Sequence, residues 1–230
     1  MKKLSRRAFM KDGAKVTGGA VCALALGRGM LAPGISHASV SFPESDCGIK
    51  QKGGKRILVA YASRFGSTGG VAESIGQVFC GKGETADIRH IKNIGDLGSY
   101  DAAIIGSAVR SSKWLPEAIS FIQENRSTLS RMPVAYFLTC LAMAKQAPGA
   151  RDTARSYMET VLKDVPDVKP VETGFFAGVL DYQKMNFIMR AVMKSKMKDK
   201  GITAGDYRDW NRIRSWSESV ASTFSAAASI

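Results

Sequence analysis

The stretch Arg56-Ile-Leu-Val-Ala-Tyr-Ala-Ser-Arg-Phe-Gly-Ser-Thr68 decides the fold of this chain. A short apolar run from Ile57 to Tyr61 predicts a buried strand, which stops at small and hydroxyl residues around Gly66. Apolar residues then recur at helical spacing from Gly70 to Phe79, so a helix follows the strand. The hydroxyl-rich loop between them therefore lies at the carboxyl end of a strand and the amino end of a helix.

This loop is suited to binding a phosphate group. Unpaired backbone N–H groups and the positive end of the helix dipole attract an anion, and Ser63, Ser67 and Thr68 offer hydroxyl donors. Taken alone, the same residues also fit an ordinary serine-capped helix without a ligand. The rest of the chain decides between these two interpretations.

The amino-terminal residues differ from the rest of the chain. Ser5-Arg-Arg-Ala-Phe-Met-Lys11 precedes a weakly apolar, glycine-rich stretch from Val16 to Gly27, which is the layout of a signal peptide. The paired arginines resemble a twin-arginine (Tat) export signal, and a solvated basic terminus is the alternative. We predict cleavage after Ala38 and a folded, periplasmic protein. A membrane anchor is disfavoured because the apolar run is short and Arg28 interrupts it; whether the signal is retained stays open.

Composition indicates one globular domain and an anionic partner. The 230 residues are 45% hydrophobic and 23% charged, and the pattern predicts a signal at 1–38, a linker at 39–54 and a domain at 55–230. The net charge of +13 falls by six without the signal, which holds seven basic residues and one acidic residue. A basic balance suits an anionic ligand, an acidic partner or a membrane surface. Nucleic acid is not predicted, because no recognition motif is present.

Cysteine and histidine usage excludes several kinds of site. With Cys22 in the signal, Cys47, Cys80 and Cys140 remain, and this odd number at irregular spacing disfavours a disulfide framework. We expect Cys47 to be exposed in the linker and the other two to be core residues. His90 is the only histidine after the signal, which argues against an imidazole metal site and a Ser-His-Asp hydrolase.

Further apolar runs predict a doubly wound sheet. Four strands follow the first, at Thr85–Ile91, Asp101–Ser107, Met132–Cys140 and Val171–Leu180. Helices are predicted between or after them, at Trp114–Asn125, Arg151–Leu162 and Trp216–Phe224. Five strands alternating with helices predict a parallel sheet covered on both faces. Asp101–Ser107 is predicted to be its central strand. Ligands bind beyond the carboxyl ends of such strands, where three loops converge: Ser63–Thr68, Ser107–Trp114 and Thr139–Gly149.

A basic insertion separates the last strand from the closing helix. From Tyr182 to Lys200, methionines and other apolar residues alternate with lysines and Arg190, which predicts a basic amphipathic helix. The functional interpretation is a segment facing a membrane surface or a quinone. The alternative is a helix packed on the domain edge with a solvated basic face.

Four motifs resemble those of the flavodoxin superfamily, and more specifically of its menaquinone-dependent protoporphyrinogen IX dehydrogenase group. They are Ser63–Thr68, Ile104–Arg110, Phe175–Gly178 with the basic insertion after it, and Asp209-Trp210. The resemblance covers nearly the whole chain after the signal and linker. It implies an α/β fold with a flavodoxin-like, doubly wound, five-stranded parallel sheet and a basic helical insertion after the last strand.

The resemblance also implies FMN and the residues that bind it. In the family the first loop holds the phosphate, and the second and third loops hold the flavin ring. Carried over to this chain, these positions are Ser63, Arg64, Phe65, Gly66, Ser67 and Thr68, then Ser107, Ala108, Val109, Arg110 and Trp114, then Leu141, Ala142, Met143 and Ala144. Phe65 departs from the flavodoxin pattern, which has threonine there. Arg110 would face the N1 and C2 carbonyl edge of the flavin and Trp114 would stack on the ring; an exposed cation and a core anchor are the respective alternatives.

The leading hypothesis is an FMN-dependent oxidoreductase that passes electrons from an organic substrate to a quinone. Its partners would be a quinone or a redox-partner protein, with peripheral membrane contact through Tyr182 to Lys200. An exported flavodoxin-type electron carrier without its own substrate is the alternative, and a scaffold without flavin is a third. The substrate, the electron acceptor and the oligomeric state stay open.

Overall fold

The computed structural model of the chain describes residues 40–49, 53–145 and 147–227. The predicted signal at residues 1–38 lies outside these ranges. The strands are β1 (Ser45–Cys47), β2 (Arg56–Ala62), β3 (Thr85–His90), β4 (Ala102–Arg110), β5 (Lys113–Trp114), β6 (Val134–Thr139), β7 (Glu172–Phe176), β8 (Val179–Leu180) and β9 (Gly205–Asp206). The α-helices are α1 (Ser67–Gly81), α2 (Pro116–Glu124), α3 (Arg126–Leu129), α4 (Ala150–Asp164), α5 (Phe187–Asp199) and α6 (Trp210–Ala227). Short 3₁₀ helices lie at Ile91–Asn93, Leu141–Ala144 and Tyr182–Lys184.

A parallel sheet of five strands forms the centre of the domain. Its order across the sheet is β3-β2-β4-β6-β7. β3 follows β2 in the chain but lies on the side of β2 away from β4. This is the flavodoxin-like doubly wound order, and it confirms the predicted fold class. β4 is the central strand, as predicted. From Ile57 to Ala62 no residue of β2 is more than 1% exposed, because helices cover both faces.

Alternation along the strands separates two layers of core. Leu58 and Ala60 of β2 pack with α2 and α4 in one layer, whereas Ile57 and Val59 pack with α1 and α6 in the other. We call these the α2 face and the α1 face of the sheet. A loop at the carboxyl end of a strand can therefore lead to a helix on either face of the sheet. The face that it takes decides where its residues can contact a ligand.

The structure differs from the predicted linker at 39–54. Ser45–Cys47 form β1, which pairs antiparallel with the outer edge of β3, and Cys47 is joined to Cys80 by a disulfide with a Cα–Cα distance of 5.9 Å. The expectations that Cys47 is an exposed thiol in a linker and that the cysteines form no disulfide are wrong, whereas Cys80 packs on the core as expected. Spacing could not reveal the bond, because strand pairing, not chain proximity, brings together two cysteines that are 33 residues apart.

The predicted last strand, Val171–Leu180, is two strands. β7 ends at Phe176, and after Gly178 the chain forms β8, which pairs antiparallel with β9 beyond the insertion. The inserted segment therefore begins and ends at the same place on the domain, where β8 and β9 pair. Its main helix is α5, which confirms the predicted helix within residues 182–200. None of the helices in the described residues is long and apolar enough to cross a membrane.

The disulfide yields the first testable prediction. Closing a loop of this length should stabilise the oxidised protein by about 3 to 4 kcal/mol in a chain-entropy treatment. Urea unfolding should show that reductant lowers the free energy of unfolding of the wild type by roughly this amount. The doubly substituted Cys47→Ser/Cys80→Ser protein is the control, since its midpoint should not respond to reductant. A wild type whose midpoint is the same with and without reductant would contradict the bond.

Candidate functional site

The first loop turns at Gly66. Its φ is 84°, in the left-handed region that a Cβ disfavours, and its N–H donates to Ser63 Oγ at 2.9 Å. α1 begins at the next residue, and its first turn holds no acidic side chain. The N–H groups of Ser67 and Thr68 find no acceptor among the described residues, as expected at a helix start. The turn therefore presents free donors and the positive end of the helix dipole to an anion.

The three hydroxyls predicted as donors have different roles. Ser63 is buried and supports the turn as an acceptor, and Thr68 is fully buried. Thr68 Oγ1 lies 2.8 Å from Thr139 Oγ1, so this hydroxyl pair joins the start of α1 to the end of β6. Ser67 is half-buried, and it is the most accessible of the three. The structure thus leaves Ser67 as the hydroxyl best placed to reach a ligand.

The third loop lies beside the first. After β6, the N–H of Cys140 donates to Phe176 O at 3.0 Å, and a 3₁₀ turn follows at Leu141–Ala144. Ala142 and Met143 pack on the α2-face core, and burial raises the pKa of the Cys140 thiol. Leu141 and Ala144 of the same turn pack toward the insertion instead. The predicted residues 141–144 are therefore brought next to the first loop, with their side chains directed to two different clusters.

Phe65 connects the first loop with the inserted segment. Its ring belongs to an apolar group that we call the insertion cluster, which contains residues of the first loop, the third loop and the inserted segment. The buried members are Leu180, Met185, Met197 and Ile202, and Phe65, Leu141, Ala144, Tyr182, Met189, Met193 and Tyr207 pack against them. Phe65 thus belongs to the same apolar cluster as Leu141 and Ala144 of the third loop and the methionines of α5. Sequence comparison with the flavodoxin pattern marks this position, but it does not indicate its partner.

The second loop is a tight hairpin. β4 runs three residues past its predicted end, and Arg110 pairs with Lys113 of β5 across a turn at Ser111 and Ser112. Both serines have positive φ, 51° and 63°, the conformation of a two-residue type I′ turn that asparagine and glycine favour. Ser107 is fully buried; its Oγ accepts from the N–H of Leu115 at 3.0 Å and donates to the adjacent carbonyl. Ser107 therefore holds the hairpin in place and has no side chain free for a ligand.

Trp114 is a core anchor. It is 4% exposed, and its ring meets Tyr136 edge-on with centroids 5.5 Å apart. Of its two predicted roles, this placement agrees with the core anchor and disfavours stacking on a flavin. Ala108 and Val109 also pack on the α2-face core, whereas Arg110 is exposed. From the second loop, the structure leaves Arg110 and the backbone of the hairpin for ligand contact.

Two cations near the first loop were not predicted. The Arg208 guanidinium lies close to Gly70 in the first turn of α1, where an ideal Cβ on Gly70 would be 2.5 Å from Arg208 Nη1. Arg208 Nε donates to Asp206 Oδ1 at 2.9 Å, and this bond lowers the pKa of the Asp206 carboxyl. Lys184 Nζ donates to Phe65 O at 3.5 Å. Both cations come from segments that follow β8, so only the tertiary fold brings them to the loop.

An amino-terminal strap, Val40–Glu44, covers one side of the first loop. An ideal Cβ on Gly66 would lie 2.3 Å from Ser41 O, so only a glycine leaves room for the strap. Tyr61 Oη donates to Pro43 O at 2.8 Å, which fastens the strap to the end of β2. Burial raises the pKa of Tyr61. The strap is followed directly by β1 and the disulfide, so the covalent bond anchors it.

His90 connects the strap with the end of β3. Its ring packs against Phe42 with centroids 4.9 Å apart and lies edge-on to Tyr61 at 5.4 Å. Its backbone N–H donates to Glu44 Oε1 at 2.8 Å. Burial, and then the nearby Lys92, lower the pKa of the imidazole, so the neutral form is favoured. His90 is therefore a packing residue under the strap.

Comparison with known proteins identifies the family. The model of the family described as flavodoxin domain matches residues 58–204, which is more than half of the chain. The chain belongs to the flavodoxin domain family. It is 25% identical over 177 residues to the protoporphyrinogen IX dehydrogenase [quinone] of Leishmania major, and the match covers 72% of this chain and 74% of that protein.

Solved structures of flavodoxin folds resemble the chain in architecture alone. Flavodoxin 2 from Bacillus cereus matches 74% of this chain and 99% of its own length, with 17% identity and a TM-score of 0.45. The rubredoxin oxygen:oxidoreductase of Desulfovibrio gigas matches 76% of this chain at 12% identity and a TM-score of 0.46. This flavodoxin domain spans 37% of the length of that oxidoreductase.

The cofactor of this flavodoxin domain is FMN, and the loops fit it. The free N–H groups of Ser67 and Thr68 and the hydroxyl of Ser67 suit the phosphate, with Arg208 and Lys184 as nearby positive charge. The hydroxyl pair of Thr68 and Thr139 joins the start of α1 to the end of β6 and so holds the first and third loops in a fixed relation. Phe65 contributes apolar packing between the first loop and the insertion cluster.

The strap contact at Gly66 can be tested against a matched glycine. Gly66 and Gly149 precede α1 and α4 with φ of 84° and 81°, but no described atom lies within 4 Å of an ideal Cβ on Gly149. Gly149→Ala should cost about 1 to 2 kcal/mol through backbone strain alone. Gly66→Ala should cost clearly more, and should weaken FMN binding about tenfold, because the loop must also move away from Ser41.

Urea unfolding and fluorimetric FMN titration measure the two effects. Equal losses of stability in Gly66→Ala and Gly149→Ala would show that the strap does not constrain the loop.

Proposed function

We propose that this protein is an exported FMN-dependent oxidoreductase that takes electrons from an organic substrate and passes them to a quinone at a membrane surface. FMN, when bound, supplies the redox chemistry. The relative in Leishmania major, named as a quinone-linked dehydrogenase, supports this reaction class. The Cys47–Cys80 disulfide supports export, since such bonds persist in oxidising compartments.

The observation that carries the proposal is the contact between the insertion and the cofactor loops. The insertion cluster joins Phe65 of the first loop and Leu141 of the third loop to the methionines of α5. Methionine side chains adapt their shape to varied apolar partners, so this wall suits a lipophilic electron acceptor. A carrier that exchanges electrons with another protein needs no such apolar wall beside its flavin. The insertion therefore favours the enzyme over the carrier.

The outer face of α5 supports a peripheral membrane contact. Phe187 is 83% exposed and Ile188 is 73% exposed, although both are large apolar residues. Val192 is exposed on the same side of the helix, while Met193 and Met197 pack on the insertion cluster. Four exposed lysines follow along the segment at Lys194, Lys196, Lys198 and Lys200. Exposed aromatic and aliphatic residues combined with lysines are typical of helices that lie in an anionic membrane surface.

The cofactor and the electron count are tested together. The purified protein should contain close to one FMN per chain, with absorption bands at about 370 and 450 nm. Gradual photoreduction should pass directly to the two-electron-reduced flavin, as suits a quinone-linked enzyme. Stable accumulation of the one-electron-reduced state would instead favour the exported electron carrier. A colourless protein that FMN cannot reconstitute would overturn both functions.

The membrane contact is tested by co-sedimentation with vesicles. The protein should bind phosphatidylglycerol vesicles and should bind phosphatidylcholine vesicles poorly. Phe187→Ser/Ile188→Ser should weaken binding by about tenfold or more, because burial of each side chain contributes on the order of 1 to 2 kcal/mol. Leu162→Ser/Val171→Ser is the matched control, since these residues are also exposed but lie outside the insertion. Equal binding by both double variants would exclude α5 as the docking surface.

A further inference from the structure

The amino-terminal strap contacts both sides of the phosphate-binding turn. Ser41 O fills the space beside Gly66, and an ideal Cβ on Gly69 would lie 2.7 Å from Pro43 Cδ. Gly66 and Gly69 bracket the two residues whose N–H groups find no acceptor among the described residues. The space around those two donors is therefore set by a segment that lies outside all three cofactor loops.

The strap and β1 together run along α1. The strap meets the first turn of this helix at Gly69, and Cys47 at the end of β1 is bonded to Cys80 in the last turn. α1 has 15 residues and is about 22 Å long, and the segment Val40–Cys47 reaches about 26 Å when extended. The segment is therefore long enough to contact one end of α1 while it is covalently tied to the other.

The disulfide is the strongest fastening of the strap. Tyr61 Oη donates to Pro43 O at 2.8 Å, and Glu44 Oε1 accepts from the His90 N–H at 2.8 Å and from Asn93 Nδ2 at 2.9 Å. An exposed ion pair and a pairing of three residues hold β1 on β3. Each of these contacts contributes little by itself near water. The covalent bond keeps the segment close to its position whenever one of them breaks.

We propose that the strap is a clasp for FMN, and that the disulfide between Cys47 and Cys80 closes it and slows release of the cofactor. The inference rests on FMN as the cofactor of this domain, and it is independent of the substrate and the electron acceptor in the proposed function. The bond acts by raising the fraction of time that the strap lies against the first loop. There the strap keeps the loop in the conformation that presents its N–H groups.

A dithiol opens the clasp. The bond between the two sulfur atoms takes up two electrons and two protons and becomes the thiols of Cys47 and Cys80, while the dithiol is oxidised to its own disulfide. Hydrogen bonds, the ion pair and the short strand then hold the segment without covalent help. The rate of FMN release therefore responds to the thiol–disulfide balance around the protein.

The rate of FMN release measures the clasp directly. FMN-loaded protein is diluted rapidly in the dark, and flavin fluorescence reports the release. Cys47→Ser/Cys80→Ser should release FMN about tenfold faster than the oxidised wild type, because the strap leaves the first loop more often. Dithiothreitol should bring the wild type to the rate of the double variant and should leave the double variant unchanged.

Two buried tyrosines separate the strap from a general loss of stability. Tyr61→Phe keeps the disulfide but removes the hydrogen bond to Pro43 O, so release should be several-fold faster. Tyr136 is equally buried, and its Oη donates to Val168 O at 3.1 Å on the α2 face of the sheet. Tyr136→Phe loses a comparable hydrogen bond away from the strap and should release FMN at the wild-type rate.

Hydrogen exchange in the FMN-free protein gives a readout that needs no cofactor. The Gly69 N–H donates to Gly66 O at 3.0 Å in α1, and the Thr153 N–H donates to Gly149 O at 2.9 Å at the start of α4. In the double cysteine variant, the Gly69 amide should exchange several-fold faster than in the oxidised wild type. The Thr153 amide should exchange at the same rate in both proteins.

The outcomes separate the clasp from the proposed function. Equal release of FMN by the oxidised wild type and the double cysteine variant would overturn the clasp alone. Equal acceleration by Tyr61→Phe and Tyr136→Phe, or of the Gly69 and Thr153 amides, would also overturn it, because the effect would then be a general loss of stability. An oxidised wild type that binds no FMN would overturn the clasp together with the proposed function.

Discussion

The hydrogen bond from the Gly66 N–H to Ser63 Oγ is the interaction on which the functional end of this domain depends. It turns the chain sharply at the end of a completely buried strand, so that α1 starts with free N–H groups at the carboxyl edge of the sheet. Because β2 is covered on both faces, the loop cannot shift without disturbing the core. The Thr68 and Thr139 hydroxyls then fix the third loop relative to this turn.

Around this turn, apolar side chains and charged groups from the segment after β8 pack against the first loop. Phe65 packs on the insertion cluster, to which α5 contributes Met197, and so connects the first loop with the inserted segment. Lys184 adds positive charge from the segment that follows β8, and Arg208, paired with Asp206, lies beside Gly70. The insertion packs against two of the three loops, since Phe65 of the first loop and Leu141 and Ala144 of the third belong to the insertion cluster.

Much of the fold could be predicted because its signals are local. The run from Ile57 to Tyr61, the stop at Gly66 and the small apolar residues of β4 each carry a periodicity or a turn signal that needs no tertiary information. The extension of β4 into a hairpin could not be predicted, because Ser111 and Ser112 are not the residues that such turns favour. Flanking strands and the core impose that conformation on them. The burial of Ser107 follows from the hairpin and could not be predicted for the same reason, whereas a core position for Trp114 was one of its two predicted roles.

The edge strand β1 has a consequence for solubility. Without it, β3 would present six residues of unpaired backbone at the edge of the sheet, a template for pairing with another chain. β1 covers only three of those residues, but the disulfide fastens it there, and Asp46 of β1 forms an ion pair with Arg89 of β3. The covalent bond thus adds to the strand pairing and the ion pair that hold β1 against this edge of the sheet, so the same disulfide that stabilises the fold also helps to keep the backbone of β3 covered.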